Sequence, residues 1–376
     1  MNFQLTEDQK TFQDSVRKFA ERHLRAGARA RAHATEYPWD VAKLMADNGL
    51  LGITIAETDG GQSGTLMDAV IAIETIASVC PRSADVVQAG SFGPIRVFAE
   101  YGTPMQKQRY LAKILRGESV ISVGMSEPEA GSAVTDLSTS ATADPQVPGG
   151  YRINGSKVFS THAPYADVLL VYVRFGPGTG GIGSVLIDTK QAGVRFGQRS
   201  SFMSGEEWAQ IYFENAAVAP DMVVLKEGGF KKQIAGFNVE RLGNTARSLA
   251  LGRYAYEEAR QWAMQRKQFG KLLCEFQGLQ WKIRRHENQA RRRPAAALPR
   301  CQQRRQRLPL TRRNLDRQSV LQSGRLRHCQ RGDWGHGRPG LQPGVAGRIL
   351  HAPLPRLDDC RRLDRDSQKP DCRRRV

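Results

Sequence analysis

The sequence predicts an α+β protein of several domains, with a helical segment, a β segment and a second helical segment in that order. Three observations predict this order. Apolar residues recur at helical spacing up to about residue 118. Short β-branched and aromatic runs, separated by turn residues, follow up to about residue 232. Apolar residues at helical spacing then return, and this pattern ends at Ile283.

The first predicted domain, residues 1–118, is a helical domain. Thr6 and Gln9 have the spacing of a capping box, and the apolar residues that follow share one helical face: Phe12, Val16 and Phe19. The stretches WDVAKLMADNGLLGI and LMDAVIAIETIASV repeat this apolar spacing.

The second predicted domain, residues 119–232, is a β-barrel or β-sandwich. Its runs include VISVGMS, YRINGSKVFST, VLLVYVRF, GSVLIDT and AQIYFENAAV. Within the second of these runs, Asn154 and Gly155 predict a hairpin-type turn. The stretch GPGTGGIG lacks the Lys-Ser/Thr of a phosphate loop, so it is interpreted as a loop between two strands.

The third predicted domain, residues 233–283, is the start of a C-terminal helical bundle with four residues at helical intervals along one flank: Leu242, Leu249, Tyr256 and Ala263. The composition then changes. Residues 284–376 contain 24 Arg, one Lys and eight acidic residues, which is a net +17 of the chain's +19. They contain no Phe, Tyr or Met, and such a composition cannot complete a helical bundle.

A reading-frame error explains the tail. Arg/Pro/Gly/Gln-rich sequence is what a GC-rich gene yields out of frame. Re-read one base over, RRHENQARRRPAAALPR can become ADMKTRLDAARLLLYRA, which continues the preceding helix in period. We hypothesise that residues 284–376 are a non-native, disordered tail produced by a frameshift.

Charge and cysteine content exclude several function classes. Residues 1–283 are nearly neutral, and the basic tail has no aromatic interleaving for base stacking, so no specific nucleic-acid partner is expected. No apolar run is long enough to cross a membrane, so no membrane partner is expected either. Cys80 and Cys274 are isolated and lack zinc spacing, which indicates reduced thiols, a cytoplasmic protein and no metal site.

Three motifs carry a family resemblance: MSEPEAGSAVTDL (125–137), GSKVFSTHAPYAD (155–167) and QRKQFGKLLCEFQ (265–277). With the domain order, they make residues 1–283 resemble the acyl-CoA dehydrogenase family of flavoproteins. The resemblance implies FAD as cofactor and an acyl-CoA as substrate.

The first two motifs imply the flavin-binding residues by their matching positions. These residues are Met125 and Ser126 at the first motif, and Phe159 and Thr161 at the second. In the family the aromatic residue packs against the flavin ring, and the Thr hydroxyl donates toward flavin N5. Ser132 matches a position beside the acyl-CoA. Ala133 stands where the family usually has Asp, and His162-Ala163 stands where it usually has Asn-Gly.

The third motif implies a contact between subunits. Arg266 matches a residue that reaches the FAD pyrophosphate, and Phe269 matches one that packs near the adenine, in both cases across an interface. Gln277 matches the end of the motif. A planar guanidinium suits a diphosphate because it donates two parallel hydrogen bonds. The resemblance therefore implies a homodimer or homotetramer.

The reaction needs a carboxylate to remove the α-proton. Most family members supply it from a Tyr-Glu-Gly-Thr-like segment near the C-terminus, which this sequence lacks. A minority supply it from a Glu-Arg pair at the start of a C-terminal helix, and Glu240 and Arg241 match this pair. The resemblance implies that Glu240 is the base and that Arg241 lies beside the substrate. An acidic residue favoured by a helix N-terminus is an equally good interpretation of Glu240.

The implied function is FAD-dependent α,β-dehydrogenation of an acyl-CoA thioester, with electron-transfer flavoprotein as acceptor. Two alternatives stay open. The fold can act on a β-substituted CoA thioester without net oxidation, or the chain is an inactive fragment. Because the tail replaces half of the expected bundle, we expect the chain as written to bind FAD weakly or not at all.

Overall fold

The computed structural model describes residues 4–292 except residue 203. The α-helices in these residues are α1 (Glu7–His23), α2 (Ala28–His33), α3 (Trp39–Asp47), α4 (Leu66–Ala77), α5 (Pro81–Ala89), α6 (Pro94–Tyr101), α7 (Pro104–Gln106), α8 (Ala112–Leu115), α9 (Phe230–Gln265) and α10 (Gln277–Arg292). The strands are β1 (Ile121–Gly124), β2 (Ser140–Ala143), β3 (Tyr151–Thr161), β4 (Val168–Arg174), β5 (Ile182–Asp188), β6 (Val194–Ser201), β7 (Glu207–Val218), β8 (Val223–Leu225), β9 (Lys267–Gln268) and β10 (Lys271–Leu272).

Helices α1 to α8 form the predicted N-terminal helical domain. The capping box is present: Thr6 and Gln9 each accept a hydrogen bond from the other's backbone N–H, as the spacing predicted. Helix α4 is the centre of this domain, because it contacts α1, α5 and α9 and most of its side chains are buried.

The middle domain is one continuous eight-stranded sheet with the strand order β6-β7-β3-β2-β4-β5-β8, and β1 pairs in parallel with β4. Strand β5 also contacts β7, from which three strands separate it along this order, so the sheet curls toward itself. The side chains of β4 between Val168 and Val173 are all buried, which places the core of the domain there. The glycine-rich stretch lies between β4 and β5, as predicted.

The turn predicted at Asn154 and Gly155 is wrong, because both residues lie inside β3. Gly155 has φ +142° at a shift in the register between β3 and β7. A Cβ atom there would lie 2.7 Å from Thr139 Oγ1, so the glycine permits a close approach of two chain segments within a bulged strand.

Helix α9 begins at Phe230, so the predicted domain boundary between residues 232 and 233 falls inside its first turn. Glu240 therefore lies almost three turns into the helix and not at its start, where both interpretations of this residue had placed it. The helix-terminus interpretation of this residue loses its basis, because the helix dipole acts only on the first turn.

Helix α10 continues through Ile283 to Arg292, so the predicted end of the helix at Ile283 is wrong. The residues just beyond Ile283 are mostly Arg, Glu, Gln and Ala, which are good helix formers regardless of their reading frame. His286 is buried. Residues 293–376 lie outside the described residues, and most of the predicted frameshifted tail falls there.

Candidate active site

The two motifs with predicted flavin residues meet beside strands β1 and β3. Met125 and Ser126 directly follow β1, and the backbone N–H of Val158 in β3 donates to the carbonyl oxygen of Ser126 at 2.9 Å. Phe159 and Thr161 are two residues apart near the end of β3. The four predicted residues therefore lie on two neighbouring segments.

A buried ion pair lies next to the two segments that carry these four residues. Lys157 Nζ lies 2.7 Å from Glu127 Oε1 and also donates to the carbonyl oxygen of Met125 at 3.3 Å. Glu127 accepts three further bonds, from the backbone N–H (2.6 Å) and the hydroxyl (2.8 Å) of Ser138 and from the backbone N–H of Thr139 (2.9 Å). Burial alone would raise the pKa of Glu127, but Lys157 and these donors lower it to about 2.

Phe159 presents an aromatic ring to the outside of the protein. Its φ is +55°, an uncommon value for a bulky side chain, and 58% of the residue is exposed. One side of the ring is supported by Trp208, at a centroid distance of 4.7 Å. Thr161 is half-buried, and its carbonyl oxygen accepts from Ser122 Oγ at 2.6 Å. An exposed, supported aromatic ring beside a hydroxyl group fits a planar heteroaromatic ligand.

The predicted substrate residue of the first motif, Ser132, lies in a loop. Ser132 is exposed, as is Ala133, which stands at the position usually occupied by Asp. This loop precedes the 3-10 turn Val134–Asp136. The exposure leaves the Ser132 hydroxyl accessible to a ligand.

Glu240 is the predicted base, and it lies between helices α9 and α5. Gln88 of α5 donates its side-chain N–H to Glu240 Oε1. Burial raises the pKa of Glu240 to about 7, although the bond from Gln88 and the charge of Arg247 favour the ionised form. A carboxylate with a pKa near neutrality can both accept and release a proton under ordinary conditions.

A cluster of charged residues next to Glu240 joins all three domains. Asp85 of α5 contacts three cationic or hydrogen-bonding side chains: Arg82 (3.1 Å), His162 Nε2 (3.0 Å) and Arg247 of α9 (2.7 Å). Arg247 also pairs with Glu206 of the middle domain. Burial by itself would raise the pKa of Asp85, yet its partners, with Arg247 foremost, hold it well below the usual range.

His162 thus has a defined place in this cluster. It follows Thr161 directly, has φ +63°, and its ring packs edge-on against Tyr37 at 5.1 Å. Because His162 contacts Asp85, a short chain of contacts connects the end of β3 with the helices that hold Glu240.

Arg241, the predicted substrate residue beside Glu240, is half-buried. It donates to Asn238 Oδ1, one turn earlier on α9. Burial lowers the pKa of Arg241 from its ordinary value.

The third motif forms a small hairpin at the far end of α9. Strands β9 and β10 pair around Phe269 and Gly270, both of which have positive φ. Phe269 is 94% exposed, Arg266 caps the helix end, and Gln277 begins α10. From Glu240 to Gln265 the helix extends about 38 Å at ~1.5 Å per residue, so this hairpin is remote from Glu240.

Comparisons with known proteins agree over most of the chain. Family models for the N-terminal, middle and C-terminal domains of acyl-CoA dehydrogenase match residues 6–118, 122–216 and 227–297. The chain belongs to the acyl-CoA dehydrogenase family. It is 31% identical over 286 residues to the short-chain specific acyl-CoA dehydrogenase of Clostridium acetobutylicum, covering 75% of each chain. It is 34% identical over 282 residues to the mitochondrial isovaleryl-CoA dehydrogenase of Oryza sativa subsp. japonica, covering 73% of this chain and 68% of that protein.

Solved structures show the same fold. The structure of butyryl-CoA dehydrogenase from Megasphaera elsdenii matches with a TM-score of 0.81 at 23% identity, covering 93% of this chain and 95% of that one. Members of the acyl-CoA dehydrogenase family are FAD-dependent oxidoreductases that act on acyl-CoA thioesters. The predicted fold, family, enzyme class and cofactor are therefore confirmed. Among the described residues, none of the helices is long and apolar enough to span a membrane.

Sequence reasoning missed several residues of this acyl-CoA dehydrogenase site. Trp208 and Glu206 lie in the middle domain outside the matched motifs, and nothing in their local sequence marks them. The signal for three others was present in α5: Arg82, Asp85 and Gln88 recur every three residues in an otherwise apolar helix. Polar residues at that spacing share one face, which predicts a buried polar surface.

Proposed function

We propose that the chain catalyses the FAD-dependent α,β-dehydrogenation of an acyl-CoA thioester, with Glu240 as the base that removes the α-proton. The observation that carries the proposal is the Glu240 carboxyl group between α5 and α9, with its pKa raised to about 7. A base is most effective when its pKa lies near the operating pH, because it is then ionised and still a good proton acceptor.

The residues around Phe159 support FAD as the bound cofactor. The exposed ring of Phe159, on a backbone with positive φ, and the adjacent hydroxyl of Thr161 fit a flavin ring, with Met125 and Ser126 on the neighbouring segment. We propose that these four residues hold the flavin. Bound FAD supplies the acceptor for the hydride that leaves Cβ of the substrate. Thr161 would stabilise the reduced flavin by donating a hydrogen bond.

Ser132 and Arg241 are the proposed contacts to the acyl-CoA. Ser132 offers an exposed hydroxyl, and Arg241 is a half-buried cation next to the proposed base. A guanidinium that is partly removed from water can donate charge-assisted hydrogen bonds to an anionic or carbonyl group of a ligand.

The remote hairpin supports a homodimer or homotetramer. Arg266 and Phe269 lie at the far end of α9, about 38 Å from Glu240 along the helix axis at ~1.5 Å per residue. We propose that Arg266, Phe269 and Gln277 bind the FAD of a neighbouring subunit. The exposure of Phe269 leaves its ring accessible for such a contact.

The acceptor of the electrons is proposed by family resemblance to be electron-transfer flavoprotein. The proposed compartment is the cytoplasm, where free thiols such as those of Cys80 and Cys274 persist. The alternative of a reaction without net oxidation is not favoured, because the relatives named above are dehydrogenases.

The test is dye reduction by a panel of acyl-CoA thioesters at saturating FAD, measured from pH 5.5 to 9. If ionised Glu240 is the base, kcat/KM rises with pH through about 7 and then levels. Glu240→Gln should lower kcat by roughly 10²–10⁴-fold. Glu258→Gln, an exposed position on the same helix, is the control and should keep the activity. Full turnover by Glu240→Gln would reject the assignment of the base.

A further inference from the structure

Gln88 connects the proposed base to a second residue of α9. Its side chain is 3% exposed and lies on α5. Its Nε2 group donates to Glu240 Oε1 and, at 2.8 Å, to Asn244 Oδ1. Glu240 and Asn244 are four residues apart, so they project from the same face of α9. A single amide therefore uses both of its N–H groups to hold two successive turns of that helix.

This bond distinguishes the two oxygens of Glu240. Oε1 accepts from Gln88, whereas no described residue donates to Oε2. Oε2 lies against Gly93, where an added Cβ would be 2.9 Å away and where φ is +72°. Gly93 thus leaves space beside one oxygen, and Gln88 fixes the other. A proton can be accepted at Oε2 without breaking the bond at Oε1.

The orientation of the amide has an energetic cost. With Nε2 turned to the carboxylate, Oε1 of Gln88 is buried and has no partner among the described residues. An unpaired buried acceptor is unfavourable, and it is tolerated here because both N–H groups are paired, one of them with an ionisable carboxylate.

We propose that Gln88 is a positioning residue for the reaction: it fixes the Glu240 carboxylate so that Oε2 is the proton-accepting atom, and it stabilises the ionised form. This inference rests on the proposed role of Glu240. A donor to the carboxylate favours its charged state, so loss of the donor raises the pKa of Glu240 further.

The test measures the titration of Glu240 directly and needs no turnover. The full chain is labelled with ¹³C at the glutamate carboxyl carbons, and the Glu240 resonance is identified by its absence in Glu240→Gln. In the wild type we expect the Glu240 resonance to titrate with a midpoint at about pH 7. Gln88→Met keeps the length of the side chain and removes the donor, and it should raise the midpoint by roughly 1 pH unit.

Gln106→Met is the matched control. Gln106 is equally buried and donates to the carbonyl oxygens of Asp221 (2.6 Å) and Val223 (3.2 Å), far from the base in sequence and contacts. Gln106→Met should lower the melting temperature of the protein without changing the pH midpoint of the Glu240 titration. An unchanged midpoint in folded Gln88→Met, confirmed by circular dichroism, would overturn the inference.

The activity assay separates this result from the proposed function. If Glu240→Gln is inactive while Gln88→Met leaves the titration unmoved, Glu240 remains the base and only the role of Gln88 fails. If Glu240→Gln retains turnover, the proposed base fails, whatever the titration of Gln88→Met shows.

Discussion

At the scale of residues, the pKa values of the half-buried Glu240 and the buried Glu127 are shifted in opposite directions for identifiable reasons. Glu240 accepts one bond from a neutral amide, so burial prevails and its pKa is raised to about 7. Glu127 has an ammonium group and several N–H donors around it, so these prevail over burial and its pKa falls to about 2. The number and charge of the groups that donate hydrogen bonds to each carboxylate decide whether its pKa is raised or lowered.

The low pKa of Glu127 makes a prediction for stability. Its folded-state pKa lies below the ordinary 4.5, so its stabilisation is complete above pH 5 and is lost as the pH falls toward 2. Glu127→Gln leaves Lys157 buried without its anion and should cost roughly 3–5 kcal/mol at pH 7. Urea unfolding followed by tryptophan fluorescence measures this free energy.

Two further variants test whether the loss of stability comes from the unpaired charge of Lys157. The double variant Glu127→Gln/Lys157→Met should be more stable than Glu127→Gln alone, because no charge is left buried. Glu129→Gln, two residues away and exposed, should change the free energy of unfolding by less than ~0.5 kcal/mol. Equal stability of Glu127→Gln and the wild type would contradict the prediction.

At the scale of elements, the sequence was informative where a local pattern decides the structure. The capping box at Thr6 and the strand pattern around Val168 need only their own neighbours, and both were predictable. The turn expected at Gly155 was not, because a glycine with positive φ also occurs in a strand bulge, here where it closely approaches Thr139 of another segment. The contact between Gln88 and Glu240 spans 152 positions, and no local pattern encodes the pairing of two helix faces.

The hairpin between β9 and β10 allows a test of its proposed role. In a chain with its reading frame restored after Ile283, Arg266→Ala removes a guanidinium expected to donate two bonds to a diphosphate, so FAD affinity should fall by roughly 10–100-fold. Quenching of flavin fluorescence measures the dissociation constant. Because the hairpin is exposed, the melting temperature of the protein without FAD should not change.

Lys267→Ala is the matched control for the hairpin. Lys267 is the next residue, is exposed and also carries a positive charge. Its loss should weaken FAD binding by no more than ~3-fold, since a surface charge acts only through a screened field. Equal effects of the two substitutions would argue for general electrostatics and against a specific role of Arg266.

At the scale of the whole molecule, the described C-terminal helices expose large apolar residues. Trp281 of α10 is 67% exposed and Met264 of α9 is 44% exposed, in addition to Phe269. Exposed apolar groups on neighbouring elements indicate a surface that further protein normally covers. The Arg-rich sequence after Ile283 is poorly suited to that purpose.

A prediction for cofactor content follows from this surface. The chain as written should purify with far less than one FAD per chain, whereas a chain with its reading frame restored after Ile283 should approach one. The ratio of flavin absorbance to protein absorbance measures the content of both. A fully yellow preparation of the chain as written would contradict both the prediction and the interpretation of the tail.

Helix α9 connects the proposed base Glu240 to the proposed FAD contact Arg266, which caps its C-terminal end. If Glu240 serves the catalytic centre of its own chain and Arg266 that of a neighbour, every centre draws on two polypeptides. Glu240→Gln, which lacks the proposed base, and Arg266→Ala, which should bind FAD more weakly, would then complement one another after subunit exchange, at an FAD concentration too low to fill Arg266→Ala alone. A mixed dimer would contain one centre with both defects and one centre with neither.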